Sequence, residues 1–296
     1  MKNKIYWGWV VGSLLLLSTG LTPALAGESS AINGAENYYA GALPPPGFHV
    51  IDYTLYYRAT DLKDSNGKTN KPPDFSVTAI ANVIRPIYVS DAKVLGASPA
   101  WHMVIPIVYQ KIKAGGVSDS ETGLGDIYFS PLLLGWHREV FHWVAGLDII
   151  APTGKYDVNA LSNIGKNHWT IEPAFAVSAI TKQGFTGSAK FMYDIHTENQ
   201  DTNLTTGDQL HIDYGLGYKV TDNWSLGFGG YWLKGLQNDT QNGVKVADSI
   251  QEVFAIGPNV MFTKDKLSIV LQPDFELNAK NRPEGIATWL KVVYSF

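Results

Sequence analysis

The chain of 296 residues contains no cysteine. An oxidising compartment therefore has nothing to cross-link, and zinc-thiolate sites and thiol nucleophiles are excluded. Charge is sparse. Only 17% of the residues are Asp, Glu, Lys or Arg, and the net charge is −4. With no basic excess the chain lacks the electrostatic footprint of a nucleic-acid binder. Beyond Ile5–Leu21 no apolar run is long enough for a membrane helix. His102, His168 and the other histidines show no metal-ligand spacing, so neither metal nor cofactor is expected. Aromatic residues, by contrast, are plentiful. They make up 12% of the chain, and nine Trp and fifteen Tyr supply rings suited to a membrane interface.

The amino terminus reads as a secretory signal peptide. Lys2 and Lys4 precede the apolar run, and Ala24-Leu25-Ala26 forms an A-x-A cleavage site. Residues 1–26 are assigned to the signal. Their removal leaves 270 residues and takes the net charge to about −6 through the loss of two lysines. That length suits one large domain or one barrel. Residues 27–47 form a Pro-rich lead-in, and residues 48–296 form the main domain.

Most of that domain alternates apolar and polar residues. Between Asp208 and Val220, Leu210, Ile212, Tyr214, Leu216 and Tyr218 oppose Gln209, His211, Asp213, Gly215 and Gly217. A strand separates two such sets, whereas a helix scatters them. Phe185–His196 and Leu267–Leu277 behave alike. About twelve segments follow the pattern, each about 10 to 13 residues long, the length of a tilted membrane-crossing strand.

Connection lengths support that reading. Short ones are expected at 137–138, 182–183, 221–223 and 263–266. Long polar ones are expected at 61–74, 113–122, 152–167, 198–206, 235–249 and 278–285. Outer-membrane barrels alternate short periplasmic turns with long external loops in this way. The segment 90–99 is longer than the rule requires. The expectation is all-β: a transmembrane antiparallel β-barrel of about twelve strands with periplasmic termini, in the outer membrane of a Gram-negative bacterium. The last strand runs from Ile286 to Phe296 and ends in an aromatic, the form read by the outer-membrane assembly machinery. That machinery and the outer-membrane lipids are the expected partners.

In such a barrel the polar faces line the lumen. The lumen candidates are Asp52, Arg58, His102, His142, Asp148, Glu172, Lys190, Asp194, His211, Asp213, Lys219, Asp274, Glu276 and Lys291. Both signs occur, which fits either a structural ion-pair network or a weakly selective pore. Tyr56, Tyr231 and Trp289 are expected to add aromatic surface to the lumen. No residue is assigned a catalytic role. His142 with Asp148, and His211 with Asp213, share strand faces, but Ser130 and Ser188 sit in no nucleophile-elbow context. Pro44, Pro45 and Pro46 favour an extended segment. It is either a plug within the barrel or a stiff lead-in.

Several motifs resemble the phenol meta-pathway degradation protein family. They are Gly41-Ala42-Leu43-Pro44-Pro45-Pro46-Gly47, Gly123-Leu124-Gly125-Asp126, and Pro131 with Gly135-Trp136. Pro152-Thr153-Gly154-Lys155-Tyr156-Asp157, Asn163-Ile164-Gly165-Lys166-Asn167-His168-Trp169, Ile256-Gly257-Pro258-Asn259 and Asn281-Arg282-Pro283-Glu284-Gly285 complete the set. The resemblance runs in order from Gly41 to Phe296. It implies a channel or transporter for passive uptake of small hydrophobic, including aromatic, compounds, with the chemistry of degradation left to other proteins. In the loop 152–169, Tyr156, Asp157, Asn163, Asn167 and Trp169 either serve loop geometry or fold inward as a constriction. Two rival readings are a structural or surface-interaction barrel with a closed lumen, and an outer-membrane hydrolase.

Overall fold

The computed structural model describes residues 32–295. The signal-peptide assignment and Phe296 lie outside the described residues. Twelve strands run antiparallel around a closed barrel. They are β1 (Gly47–Leu62), β2 (Ser76–Val89), β3 (Ser98–Ala114), β4, β5 (Phe141–Ala151), β6 (Thr170–Ile180), β7 (Phe185–His196), β8 (Gln209–Lys219), β9 (Trp224–Gly235), β10 (Glu252–Lys264), β11 (Leu267–Lys280) and β12 (Pro283–Ser295). Strand β4 has two segments, Val117–Leu124 and Ile127–Arg138, which both pair with β3. Each strand pairs with its sequence neighbours, and β1 pairs with β12 to close the ring. Closure removes the sheet edges that a hydrocarbon environment would leave without partners.

Period two decides which side chains meet lipid. On β8, Leu216 and Tyr218 are exposed while Gln209, His211 and Asp213 are buried. On β11, Leu271, Phe275 and Leu277 point out and Gln272, Asp274 and Glu276 point in. Exposed aromatics form two rows. Phe48, Tyr88 and Trp101 are paired in register near the end that carries the short turns. Toward the other end, exposed Tyr56 and half-buried Tyr109 flank Ile80 in register. Such rows mark the two interfaces of a membrane.

The short turns are Glu139–Val140, 181–184, 220–223 and Asp265–Lys266, with 90–97 as the longer one. Gly47 and Ser295 lie at this same end. Long connections at 63–75, 152–169, 197–208 and 236–251 lie at the other. Two expected long loops are hairpins instead. Lys113–Thr122 continues β3 and β4 around a turn at Gly115-Gly116, both at positive φ, and Asn278–Gly285 turns tightly at Asn281-Arg282. Their polar residues still alternate and pair, so polarity alone misread them as loop. Short strands at Leu204–Thr205, Thr240–Gln241 and Val244–Lys245 tie two of the long loops together.

Strand β1 inverts the rule used to assign the lumen. Its apolar set, Ile51, Tyr53, Leu55, Tyr57 and Ala59, points inward, and its polar set points out. Asp52 and Arg58 are therefore not in the lumen. Asp52 accepts from Asn82 Nδ2 on the outer surface, and exposed Arg58 donates to Thr78 Oγ1 at 2.9 Å. Tyr56 also points outward, 46% exposed. Lys219 stands exposed at the barrel end, 3.3 Å from Asp222.

Candidate functional site

Residues 32–46 precede β1, and those before Pro44 run through the barrel interior rather than beneath it. The inner wall makes room for them. A Cβ on Gly217 would meet the Tyr38 ring at 2.1 Å, and one on Gly215 would meet the Asn37 backbone at 3.2 Å. Gly41 touches the β6 backbone so closely that its own Cβ would lie 2.6 Å from Ser178 N. Polar contacts fix the segment. The Gly34 and Glu36 amides donate to the two Asp213 carboxylate oxygens at 2.8 and 3.0 Å. Asn37 Nδ2 donates to Gln272 Oε1 at 3.0 Å, Tyr38 OH to Asn259 Oδ1 at 2.5 Å, and Gly41 N to Ser178 Oγ at 2.9 Å. At the base, His49 Nε2 lies 2.8 Å from the Pro45 carbonyl. The prolines Pro44, Pro45 and Pro46 form the lead into β1, while the residues that enter the lumen lie before them.

Glu36 sits at the centre of a belt of paired charges. One carboxylate oxygen takes Arg85 and the Tyr53 hydroxyl; the other takes Lys291 Nζ at 2.7 Å. Burial works to raise the Glu36 carboxyl. Lys291 and then Arg85 overcome it and hold the group well below the usual carboxylate range. The belt continues around the wall. Arg85 Nε donates to His102 Nδ1 at 3.1 Å, and His102 Nε2 lies 2.9 Å from Asp148 Oδ1. Lys190 Nζ is 3.7 Å from both Asp148 and Glu172, and His211 Nε2 is 3.3 Å from Asp194. Strands β6, β7 and β8 thus bring together Glu172, Asp194 and His211, whose ligand atoms all lie within 4.8 Å of one another. Sequence spacing could not reveal that cluster, because each member comes from a different strand. The Lys190 cation already stands beside it.

Ser130, His102 and Asp148 also converge, but not as a hydrolytic triad. Asp148 Oδ1 and Ser130 Oγ both approach His102 Nε2, while Arg85 donates to Nδ1. A nucleophile–base pair needs the carboxylate on one imidazole nitrogen and the hydroxyl on the other. With Nδ1 accepting, Nε2 carries the proton and cannot take one from serine.

Above the belt, toward the long loops, lies a cavity of about 250 Å³. Its wall is mainly apolar: Leu55 and Tyr57 from β1, Val77, Ala81 and Val83 from β2, and Tyr231 and Trp289 from β9 and β12. Glu276 lines one side, bonded by the Tyr57 and Tyr231 hydroxyls at 2.8 and 2.7 Å. A smaller cavity of about 50 Å³ lies at the belt, and Ile32, Val83, Tyr128 and Trp289 line both.

The loop 152–169 closes over the cavity through Ile164 and Lys166. Asp126, between the two halves of β4, accepts from Gly154 N and Lys166 N, each at 2.9 Å. The candidate constriction residues lie elsewhere. Asp157 and Asn163 bond each other within the loop, Asn167 reaches Asn199 and Asp201, Tyr156 is half-buried and Trp169 is exposed. Of the lumen candidates, His102, Asp148, Glu172, Lys190, Asp194, His211, Asp213 and Lys291 join the belt. Asp274 is buried beside Gln272, and Glu276 lines the cavity. His142 stays near the short-turn end, 2.8 Å from His137. Sequence reasoning missed Glu36 and Arg85. Arg85 lies in phase with Val77, Ala81 and Val83 on a strand whose two faces are both largely apolar, so no alternation marked it.

Two rows of aromatics, an apolar outer belt and a polar, partly filled interior define a membrane-spanning barrel of the outer-membrane type. The sequence profile of the family described as the MetA-pathway of phenol degradation matches residues 59–292, and the chain belongs to that family. No curated protein is similar to it in sequence. In structure it is similar to an outer membrane channel from Pseudomonas putida F1, with a TM-score of 0.77 and 17% identity over 86% of this chain and 97% of that one. It is more distantly similar to the CymD monoaromatic hydrocarbon channel, with a TM-score of 0.47 and 10% identity over 91% and 96% of the two chains. The translocator domain of NalP from Neisseria meningitidis gives a TM-score of 0.47 and 9% identity over 86% and 91%. The first likeness shares the fold; the other two are too weak to say more.

Proposed function

We propose that the protein is a passive uptake channel for small hydrophobic compounds, aromatic ones included, with its termini and short turns on the periplasmic side. The observation that carries this reading is the inward-facing apolar side of β1 and β2, which gives a charged barrel an apolar cavity beneath its external loops. A cavity of about 150 Å³ lined by apolar side chains suffices for benzene, so this one has room for a single-ring solute. The charged lumen residues below act chiefly as mutual partners and as the seat of segment 32–46. Most charges in the belt face an opposite one, and Asp213 is held by the Gly34 and Glu36 amides instead, which leaves a reduced net field to select ions. The segment serves as a plug that a solute must pass. Insertion relies on the aromatic carboxy-terminal strand and the assembly machinery. The Ser130–His102–Asp148 geometry argues against an enzymatic role.

A closed-lumen structural barrel is the second reading, and the same paired belt favours it. Uptake of a labelled single-ring aromatic by intact cells separates the two. Deletion should lower the initial uptake rate, and the native chain should restore it. Ala81→Phe, which fills the cavity wall, should restore less than a fifth of that gain while the barrel still inserts. Unchanged uptake on deletion would contradict the transport reading.

A further inference from the structure

On β3 to β11 the outward positions between the aromatic rows are apolar, with Ile105, Leu147, Phe175, Leu216, Phe228 and Leu271 typical of them. Among the described residues the interruption falls on one wall. It comprises Asp52 and Thr54 on β1 and Asn82 on β2, and Thr288 on β12 extends it into the Tyr56 row. Its depth follows from register. Phe48 belongs to one aromatic row and Tyr56 to the other, so Asp52 lies midway, opposite Ile84 and Val292. Thr54 lies opposite Asn82 and Leu290. Asn82 Nδ2 donates to the two Asp52 oxygens at 3.1 and 2.9 Å, and no ion pair to Asp52 forms among the described residues.

Hydrocarbon offers no hydrogen-bond donors, so a polar group there must find its partner in protein. On insertion scales an aspartate at the bilayer centre costs about 2.5–3.5 kcal/mol, and such residues normally face protein or water. Polar side chains at this depth are the ones that join transmembrane walls to each other.

We propose that the wall formed by β12, β1 and β2 is the interface with a second copy of this chain. Two copies inserted in one membrane share orientation and depth, so their symmetry axis runs along the membrane normal. Residues at one depth then meet only residues of the same depth. An axis passing between β1 and β2 sets Asp52 of each copy against Asn82 and Thr54 of the other. The patch is self-complementary: the Asp52 carboxylate and Asn82 Oδ1 supply spare acceptors, and the Thr54 hydroxyl supplies the donor, since both Asn82 amide hydrogens are taken by Asp52 and the Tyr53 carbonyl. Ile80, Ile84 and Val292 surround it with apolar surface, so the contact has a polar centre within a greasy rim.

Because the chain has no cysteine, single-cysteine variants test this directly in native outer membranes without detergent. Oxidation of Thr54→Cys should give a thiol-reversible band of twice the monomer mass. Its yield should be at least tenfold above that of Leu216→Cys, a control on β8 facing lipid on another wall. Adding Asp52→Leu and Asn82→Leu to Thr54→Cys should cut the yield at least fivefold. Heat-modifiable migration on gels checks that each barrel folds, and Ile80→Cys replaces Thr54→Cys if that variant does not. A yield from the β1–β2 wall no higher than the control would overturn the proposal, and so would cross-linking to a different protein. An undiminished yield in the Leu double variant would overturn the polar basis assigned to the contact.

Discussion

Glu36 carries the plug's charge, and its environment sets a pH response. Its carboxyl is held below the ordinary 4.5 by Lys291 and Arg85 despite burial. A group depressed in the anchored state adds stability that is fully present above the free-segment pKa. That stability is lost as pH falls through 4.5 toward the anchored value. The Glu36 anchor should therefore hold from neutral pH down to about 5 and weaken in stronger acid. In planar bilayers, openings of the native chain should rise as pH falls below that point. Glu36→Gln keeps the shape but removes the charge-assisted bonds, a loss on the order of 1.5–3 kcal/mol. Openings should then increase roughly tenfold or more at neutral pH and lose their acid dependence. A variant indistinguishable from the native chain would show that Glu36 does not hold the plug.

Among the elements, β1 and the segment before it carry most of what was and was not legible. The alternation on β7, β8 and β11 was plain in sequence because their outer faces are apolar and their inner faces polar, as at Gln209, His211 and Asp213. Strand number, strand pairing and most turn positions followed from it. On β1 the same rule reversed the assignment, placing Asp52, Arg58 and Tyr56 inside. Polarity reports a preference for water or a partner, and on β1 the inner partner is an apolar cavity. Most of the belt was legible, with His102, Asp148, Glu172, Lys190, Asp194, His211, Asp213 and Lys291 all standing out, but Arg85 and Glu36 lay in stretches without a period. The plug's course depended on contacts of high sequence separation, such as Gly34 with Asp213, which no local pattern encodes. Its fit against β6 yields a test. Gly41→Ala puts a methyl group against the Ser178 backbone, an overpacking that costs about 1–3 kcal/mol. Limited proteolysis should then cut the amino-terminal segment faster than in the native chain, with barrel migration on gels unchanged. Equal cutting rates would mean that the segment is not seated against β6.

The whole molecule combines a wide, mainly apolar cavity with Glu276 and Arg282 at its edge, a narrow belt in which most charges are matched, and a segment of its own chain seated between the walls. Ions meet matched charges and backbone at the belt, whereas a neutral ring finds an apolar wall from Leu55 and Val77 down to Val83 and Trp289, residues that link the two cavities. Flux of neutral solute and conductance of ions should therefore separate. The most direct measurement places purified full-length barrels in liposomes and compares the two in one preparation. Entry of a labelled single-ring aromatic should exceed that of empty liposomes several-fold, should fall with Ala81→Phe, and should occur with potassium leakage near the empty-liposome level. Rapid ion leakage with no gain in aromatic entry would contradict the apolar uptake path.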